Sequence, residues 1–345
     1  MRPVQVLDHQ ADLLARLTRP IVRNGWSHHV ALDYVAAGLS EGSAASSGAA
    51  LIQMLERTVR VAPAYHLSDE LAAVVTYAAT QLDGLDRVDL SLAPTATGLV
   101  RIDQGLPVKD LRGQTMKVNW IVWGPVEMKF GAGEPTAATA VWMFNDQHDD
   151  PDEVARKAWE QLLVKRGPEA VVRADREFGR YGLIGVTSMH PGARMGPQWM
   201  PTAAEDAARV LESGDVPSDG TNVTRLVHSL WLLMGQRIVT VADADVDRKT
   251  ARRAARAGLP PRVTVVYLRQ SKRSPGTGTG APLTYRMMVG LATQGFWRHS
   301  RVGAAYPGAI EREPGVFVVK QWIMPYVRGP EGAPMHTPDH VYAIR

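Results

Sequence analysis

With 345 residues, 45% of them hydrophobic and 21% charged, the chain excludes global disorder, and at ~150 residues per domain its length predicts two domains. The absence of cysteine excludes disulfides, thiol catalysis and cysteine-ligated zinc, and no run approaches the ~18 uncharged apolar residues of a spanning helix. The formal net charge of +4 conceals an asymmetry: residues 248–345 hold 16 Lys or Arg against 4 Asp or Glu, while the first 247 hold 23 against 31. Between Arg248 and Ile310 there are 12 basic residues and no acidic one. A basic part joined to an acidic one points to nucleic acid, or to a basic surface masked within the molecule. The opening MRPVQVLDHQ reaches Asp8 before any apolar run develops, so no signal peptide and a cytoplasmic location are expected.

Residues 1–90 read as an acidic helical region. HQADLLARLTRPIV carries leucines at helical spacing up to Pro20, and ALIQMLERTVRV and SDELAAVVTYAATQL continue the pattern. Ser68 reads as an N-cap leading into a buried stripe of Leu71, Val74, Val75 and Ala78. The small-residue segment GLSEGSAASSGAA reads as a loop or a weak helix start. From about residue 92 the texture turns to strands: TGLVRID, MKVNWIVWG and TAVWMFND are β-branched and aromatic runs bounded by Gly, Pro and Asp. DPDEVARKAWEQLLVKRG is then a helix, with Asp150 as cap, Pro151 in the first turn, Glu153 three residues after the cap and Gly167 as the stop. Residues 179–220 are rich in Gly, Pro and Met, with HPGARMGPQWMPT as a long irregular stretch and AAEDAARVLES as a short helix. NVTRLVHSLWLLMGQR is apolar nearly all round, the pattern of a central core helix. RKTARRAARAG is a second helix, ended by Gly258, Pro260 and Pro261, and PRVTVVYLRQ is a strand. After the loop SKRSPGTGTGAP come the strand-like runs LTYRMMVGLA, QGFWRHSRV, VFVVKQWIMPYV and HVYAIR. The predicted fold is α+β: a helical N-terminal region over 1–90, then a mixed α/β part over 91–345 that ends in an antiparallel sheet and carries the basic portion 248–345.

The segments LAPTATGLVRIDQGLPVKDLRG and VNWIVWG, then YRMMVGLATQGFWRHSRVG and QWIMPYVRGPEGAP, resemble a family of uncharacterised proteins from actinobacteria and their phages. The resemblance covers roughly residues 60–345, and WIMPYVRGPEGAP is its most specific match. It implies an actinobacterial or phage setting and supplies no activity. Members of that family usually read Gly-His-Trp-Arg where this chain has Gly295-Phe296-Trp297-Arg298, so a chemical role of that histidine does not extend here.

The helix from Arg248 carries the sharpest pattern. Arg248, Arg252 and Arg256 recur every four residues and Lys249 with Arg253 forms an adjacent row, opposite Ala251, Ala254 and Ala255. Its three like-charge pairs cost ~0.2–0.5 kcal/mol each, a repulsion an anionic partner relieves. The plainer alternative is that Asp243, Asp245 and Asp247 complement its dipole and acids elsewhere neutralise the rows. Downstream, Tyr285, Phe296, Trp297 and Tyr306 interleave with Arg286, Arg298, His299 and Arg301, a composition suited to unpaired nucleic acid. In strand periodicity Trp297 and His299 share one face and Arg298 takes the other; the alternative is a sheet that buries Trp297. The glycine loop PGTGTGAP lacks the lysine and helix start of a phosphate cradle, though Arg269, Lys272 and Arg273 beside it can touch phosphate nonspecifically.

Other clusters have plainer readings. Asp146, His148, Asp149 and Asp150 hold the residue types of a metal site, but capping explains Asp150. The aspartates 243, 245 and 247 lack the glycine and distal glutamate of a calcium loop. Glu311 and Glu313 with Arg101 match residue types of ADP-ribosyltransferases, yet Pro314-Gly315 makes 311–315 a turn. No nucleophile elbow or Rossmann fingerprint occurs, and no metal or other cofactor is expected. The expected function is a phage or mobile-element protein that binds DNA or RNA mainly through phosphates. One alternative is a metal-independent RNA-cleaving enzyme using His299, His336 or His340 with Arg298 or Lys320. Another is a phage protein that engages an acidic host protein. The charge counts also suggest that the acidic part masks the basic face, so that removing residues 1–90 raises affinity.

Overall fold

The computed structural model describes residues 3–36, 40–82, 87–109, 115–128, 136–148, 153–192, 223–236, 239–268, 290–293, 296–306, 308–323, 326–328 and 335–336. The chain forms two compact units, 1–268 and 269–345, the division falling at the end of a strand. The fold is α+β.

In the first unit, α1 (Gln5–Leu17), α2 (Pro20–Ala36) and α3 (Glu41–Val61) precede β1 (Ala64–Leu67). The chain continues through α4 (Asp69–Thr80) to β2 (Gly98–Lys109), β3 (Thr115–Met128) and β4 (Thr136–Asp146). Then follow α5 (Glu153–Arg166), α6 (Pro168–Phe178), β5 (Tyr181–Met189), α7 (Val223–Met234), β6 (Val239–Asp243), α8 (Arg248–Arg256) and β7 (Val263–Leu268). The strands make one seven-stranded sheet in the order β5-β4-β3-β2-β1-β7-β6. β1 runs parallel to both neighbours, Ala64 pairing with Leu99 and with Val263, and the other pairs are antiparallel.

Within the helical N-terminal region expected over residues 1–90, β1 is a strand that the sequence did not reveal. It has four residues, all buried, too few for an alternating pattern to register, yet it is the parallel link between the two halves of the sheet. Removing residues 1–90 therefore removes an interior strand. The expected unmasking has no intact sheet to act in.

Alternation along the strands divides the apolar side chains between two faces. Leu99, Trp120, Val122, Trp142 and Phe144 join Leu13, Leu55, Val59 and Ala254 in one core with α1, α3 and α8. On the other face Trp123 meets Trp231 of α7 edge-on at 6.0 Å. Every residue of α7 except Thr224 is buried, as its all-round apolar pattern predicts.

The small-residue stretch read as a loop or weak start is the first half of α3. Ser40 caps it, its hydroxyl accepting from the Ser43 amide at 3.4 Å. A Cβ at Gly48 would overlap the Ser27 carbonyl of α2, so the absence of side chains is what lets the two helices approach. Ser68 caps α4 as predicted, accepting from Leu71 N–H at 3.3 Å. Gly167 ends α5 at φ +80° and serves as the N-cap of α6. Arg16 of α1 and Arg19, just before α2, donate to the terminal carbonyls of α6 at Arg176 and Glu177, placing cations at the negative end of its dipole. Residues 181–189 form the edge strand β5 against β4, ending just before the stretch read as irregular. Asp149, Asp150, Pro151 and the segment AAEDAARVLES lie outside the described residues.

The second unit holds β8 (Gly290–Thr293), β9 (Phe296–Val302), β10 (Ile310–Glu313), β11 (Val316–Ile323), β12 (Tyr326–Arg328) and β13 (Met335–His336). β10-β11-β9 is antiparallel, the terminal sheet that the sequence predicts; in β12-β8-β13 the last strand is parallel to β8. No helix among the described residues is long and apolar enough to cross a membrane.

Candidate nucleic-acid interface

α8 follows β6 through Asp247, which caps it. The Asp247 carboxylate accepts from the amides of Lys249 at 2.9 Å and Thr250 at 3.0 Å and from the Thr250 hydroxyl at 2.7 Å. The Thr250 amide and hydroxyl hold that carboxyl below its usual range. At the other end Gly258, at φ +73°, reverses the chain, and the amides of Gly258 and Leu259 return to the carbonyls of Ala255 and Ala254. This is a Schellman closure, with Leu259 buried behind it. The helix is thus fixed at both ends by local chemistry.

Its buried side is Thr250 and Ala254, with Ala251 and Ala257 half-buried. Ala255, expected on the packed face, is exposed; the seat is narrower than the alanine pattern implies. Arg248, Lys249, Arg252, Arg253 and Arg256 all point outward. Arg253 pairs with Asp8 of α1 at 2.9 Å. Arg248, Lys249, Arg252 and Arg256 make no ion pair among the described residues, so the neutralisation that the plainer reading requires is not seen there. Of the three preceding aspartates, Asp247 caps, and Asp243 binds Arg262 at 2.7 Å. Three of the free cations, Arg248, Arg252 and Arg256, lie in one row spanning about 12 Å of helix at 1.5 Å per residue.

In the second unit Trp297 and Trp322 form a directly opposed cross-strand pair of β9 and β11, edge to face at 5.2 Å. Trp322 is 2% exposed and Trp297 half-buried, so the paired ring is the core residue. His299 and Arg301 are exposed on the Trp297 side of β9, and Lys320 lies opposite His299. Arg298 takes the other face and donates to Ser300 Oγ at 3.2 Å. Arg269, Lys272, Arg273 and Arg286 lie outside the described residues.

A third constellation went unassigned in the sequence. Gly105, at φ +71°, sits in a bulge where the β2–β3 register shifts between Arg101 and Leu106. Asn119 fills that bulge, its amide donating to the carbonyls of Ile102 and Asp103 and its oxygen accepting from Asp146 N–H. The bulge brings charged residues together beneath α1. Arg101 binds Asp103 at 3.3 Å and Asp146 at 3.1 Å, and Arg180 binds Asp146 at 3.2 Å. Asp103 reaches His66 at 3.1 Å, and the Arg101 guanidinium lies 4.6 Å from the Trp120 ring centre. Burial, with Arg180 and Arg101 nearby, lowers the His9 pKa to about 4, so His9 is neutral beside Arg180, 3.1 Å from its Nε2. Burial alone would raise the Asp103 pKa, but the hydrogen bond and charge of His66 hold it far below the carboxylate range. The cluster braces β1, β2, β4, β5 and α1. Its signal in the sequence was Arg101 and Asp103 at i,i+2 within an otherwise apolar strand.

These contacts account for residues set aside as metal or transferase candidates. Asp146 is 1% exposed and shared by two arginines, while His148 pairs with Asp175 at 2.7 Å. Among the described residues no group of three His, Cys, Asp or Glu could hold a metal. Arg101 is held inside its cluster, and Glu311 Oε1 accepts from Gly315 N–H at 2.8 Å, closing the turn read at 311–315. For the cleavage reading, His299 and Arg298 lie on opposite faces of β9; Lys320 is the cation across from the histidine. His336 lies in β13, and His340 is outside the described residues.

The molecule is therefore an α+β protein with an exposed basic helix on its seven-stranded unit. No family model matches the chain, and no curated protein is similar to it. Among solved structures, the crystal structure of AcrVA2 is similar over 77% of this chain and 72% of that one, with 14% identity and a TM-score of 0.32, a level at which two chains need not share a fold.

Proposed function

We propose that this is a nucleic-acid-binding protein of the phage or mobile-element type implied by its sequence resemblance, gripping the phosphate backbone with α8. The observation that carries the reading is four cations on one short helix, Arg248, Lys249, Arg252 and Arg256, exposed and without an ion pair among the described residues. No ion pair among the described residues relieves their mutual repulsion, so a polyanion gains both attraction and relief of that strain. Asp247 occupies the helix N-terminus, so the ligand lies along the side of the helix and not at its end. The outward face offers neither amide nor aromatic side chains, which suits phosphate contact without base readout.

Labelled DNA and RNA incubated with the full chain, with and without EDTA, test the reading. A mobility shift that persists in EDTA and leaves the strands intact supports it. Shortened strands would point to the RNA-cleaving enzyme. No shift of either acid at low salt would overturn the reading in favour of an acidic protein partner.

A further inference from the structure

We propose that the β9 edge of the β10-β11-β9 sheet is a stacking platform for unpaired bases, which makes single strands the preferred ligand. The inference rests on the nucleic-acid reading above for its ligand class, but on different residues. Trp322, fully packed, stands edge-on to Trp297 and fixes the orientation of an indole that keeps part of its surface in solvent. Lys320 Nζ lies 5.8 Å from the centre of that ring, near the outer limit of a cation–π contact. His299 stands directly opposite Lys320, and Arg301 follows two residues on, both exposed. Strand alternation puts Trp297, His299 and Arg301 on one side over about 13 Å, at ~3.3 Å per residue.

An aromatic ring with Arg301 further along its own strand and Lys320 on the neighbouring one suits a chain of alternating π-faces and phosphates. Every base has a face to offer, so such a platform tolerates any sequence. In a duplex those faces are stacked inside and cannot reach the indole. Lys320 is placed to leave the ring for a phosphate when a base arrives, and Arg301 to hold the next one. Arg298, on the far side with Ser300, takes no part.

The test is anisotropy titration of the full chain with a fluorescent oligothymidylate, the matching oligouridylate and a duplex of equal length. Trp297→Ala is expected to weaken binding of both single strands roughly ten-fold or more while changing duplex affinity less than about two-fold, and Trp297→Phe to keep most of the single-strand affinity. Because Trp297→Ala could loosen the packing on Trp322, a second variant, Lys320→Gln with Arg301→Ala, removes two cations without truncating an apolar side chain. It should weaken single strands several-fold, again selectively. Equal losses on duplex and single strands, or no loss in either folded variant, would overturn the platform. If duplex binding disappears on substituting the α8 cations while single-strand binding ignores Trp297, Lys320 and Arg301, this inference falls and the α8 reading stands. Binding of no nucleic acid by the unaltered protein overturns both.

Discussion

The arginines beneath α1 and those along α8 face opposite electrostatic problems. Arg101 is 3% exposed and touches two carboxylates and an indole; Arg180 shares Asp146 with it. In a dry interior each cation needs a counter-charge, because an unpaired buried ion costs several kcal/mol. On α8 water solvates the charged groups, so four cations can stand without an ion pair among the described residues at a cost of a few tenths of a kcal/mol per like-charge pair. The comparison separates charge that holds the fold from charge left open to a ligand. Counting residues along the chain cannot make that distinction, since both sets look alike in composition.

The sharpest way to break the comparison is to remove what the buried set depends on. A chain beginning at residue 91 lacks β1 and the α1–α3 layer, and should give neither a cooperative melt nor native-like near-ultraviolet circular dichroism. A folded shortened protein with raised affinity would restore the masking hypothesis. Asp146→Asn leaves Arg101 and Arg180 without their shared carboxylate, and urea unfolding should show a loss of about 3–5 kcal/mol. A change below about 1 kcal/mol would mean that the buried set is no more dependent on its partners than a surface pair.

The same cluster should make the fold acid-sensitive. His9 has a pKa near 4 in the folded protein against ~6.5 unfolded, so between these values only the unfolded state holds the proton. Its contribution is complete above about pH 6.5 and is lost as pH falls toward 4; Asp103, also depressed, adds to the loss at still lower pH. Melting temperature should therefore drop from pH 6.5 to 4, and His9→Gln should flatten that drop. An unchanged slope in the variant would remove His9 from the account. The smallest effect belongs to Arg253→Ala, whose half-exposed pair with Asp8 should be worth less than about 1 kcal/mol. A larger loss would place Arg253 with the charges on which the fold depends.

Much of the fold was legible where the pattern was long. Leucine spacing located α1, the apolar run located α7, and Ser68, Gly167 and Gly258 marked helix ends where they were expected. β1 was not legible, because four consecutive buried residues between two parallel neighbours show no alternation. α3 was half hidden, because Gly48 and its small neighbours answer to contact with α2 and not to helix propensity. The α8 cations were visible at once as a four-residue repeat. The pairing of Asp8 with Arg253, across 245 positions, was not, and neither was the bulge at Gly105 that gathers Arg101, Asp103 and Asp146. Such contacts depend on tertiary register, which residue order alone does not display.

The central claim is that α8 binds phosphate through charges the fold does not use, and the salt dependence of duplex binding tests it most directly. If Arg248, Lys249, Arg252 and Arg256 neutralise about four phosphates, log affinity should fall against log salt with a slope near −3.6. Replacing all four with Ala should flatten that slope by about 3.6 while leaving the melting temperature unchanged or slightly higher, since alanine is the best helix former and the like-charge pairs disappear. A slope unchanged by the four substitutions, or a variant that melts markedly earlier, would contradict the account.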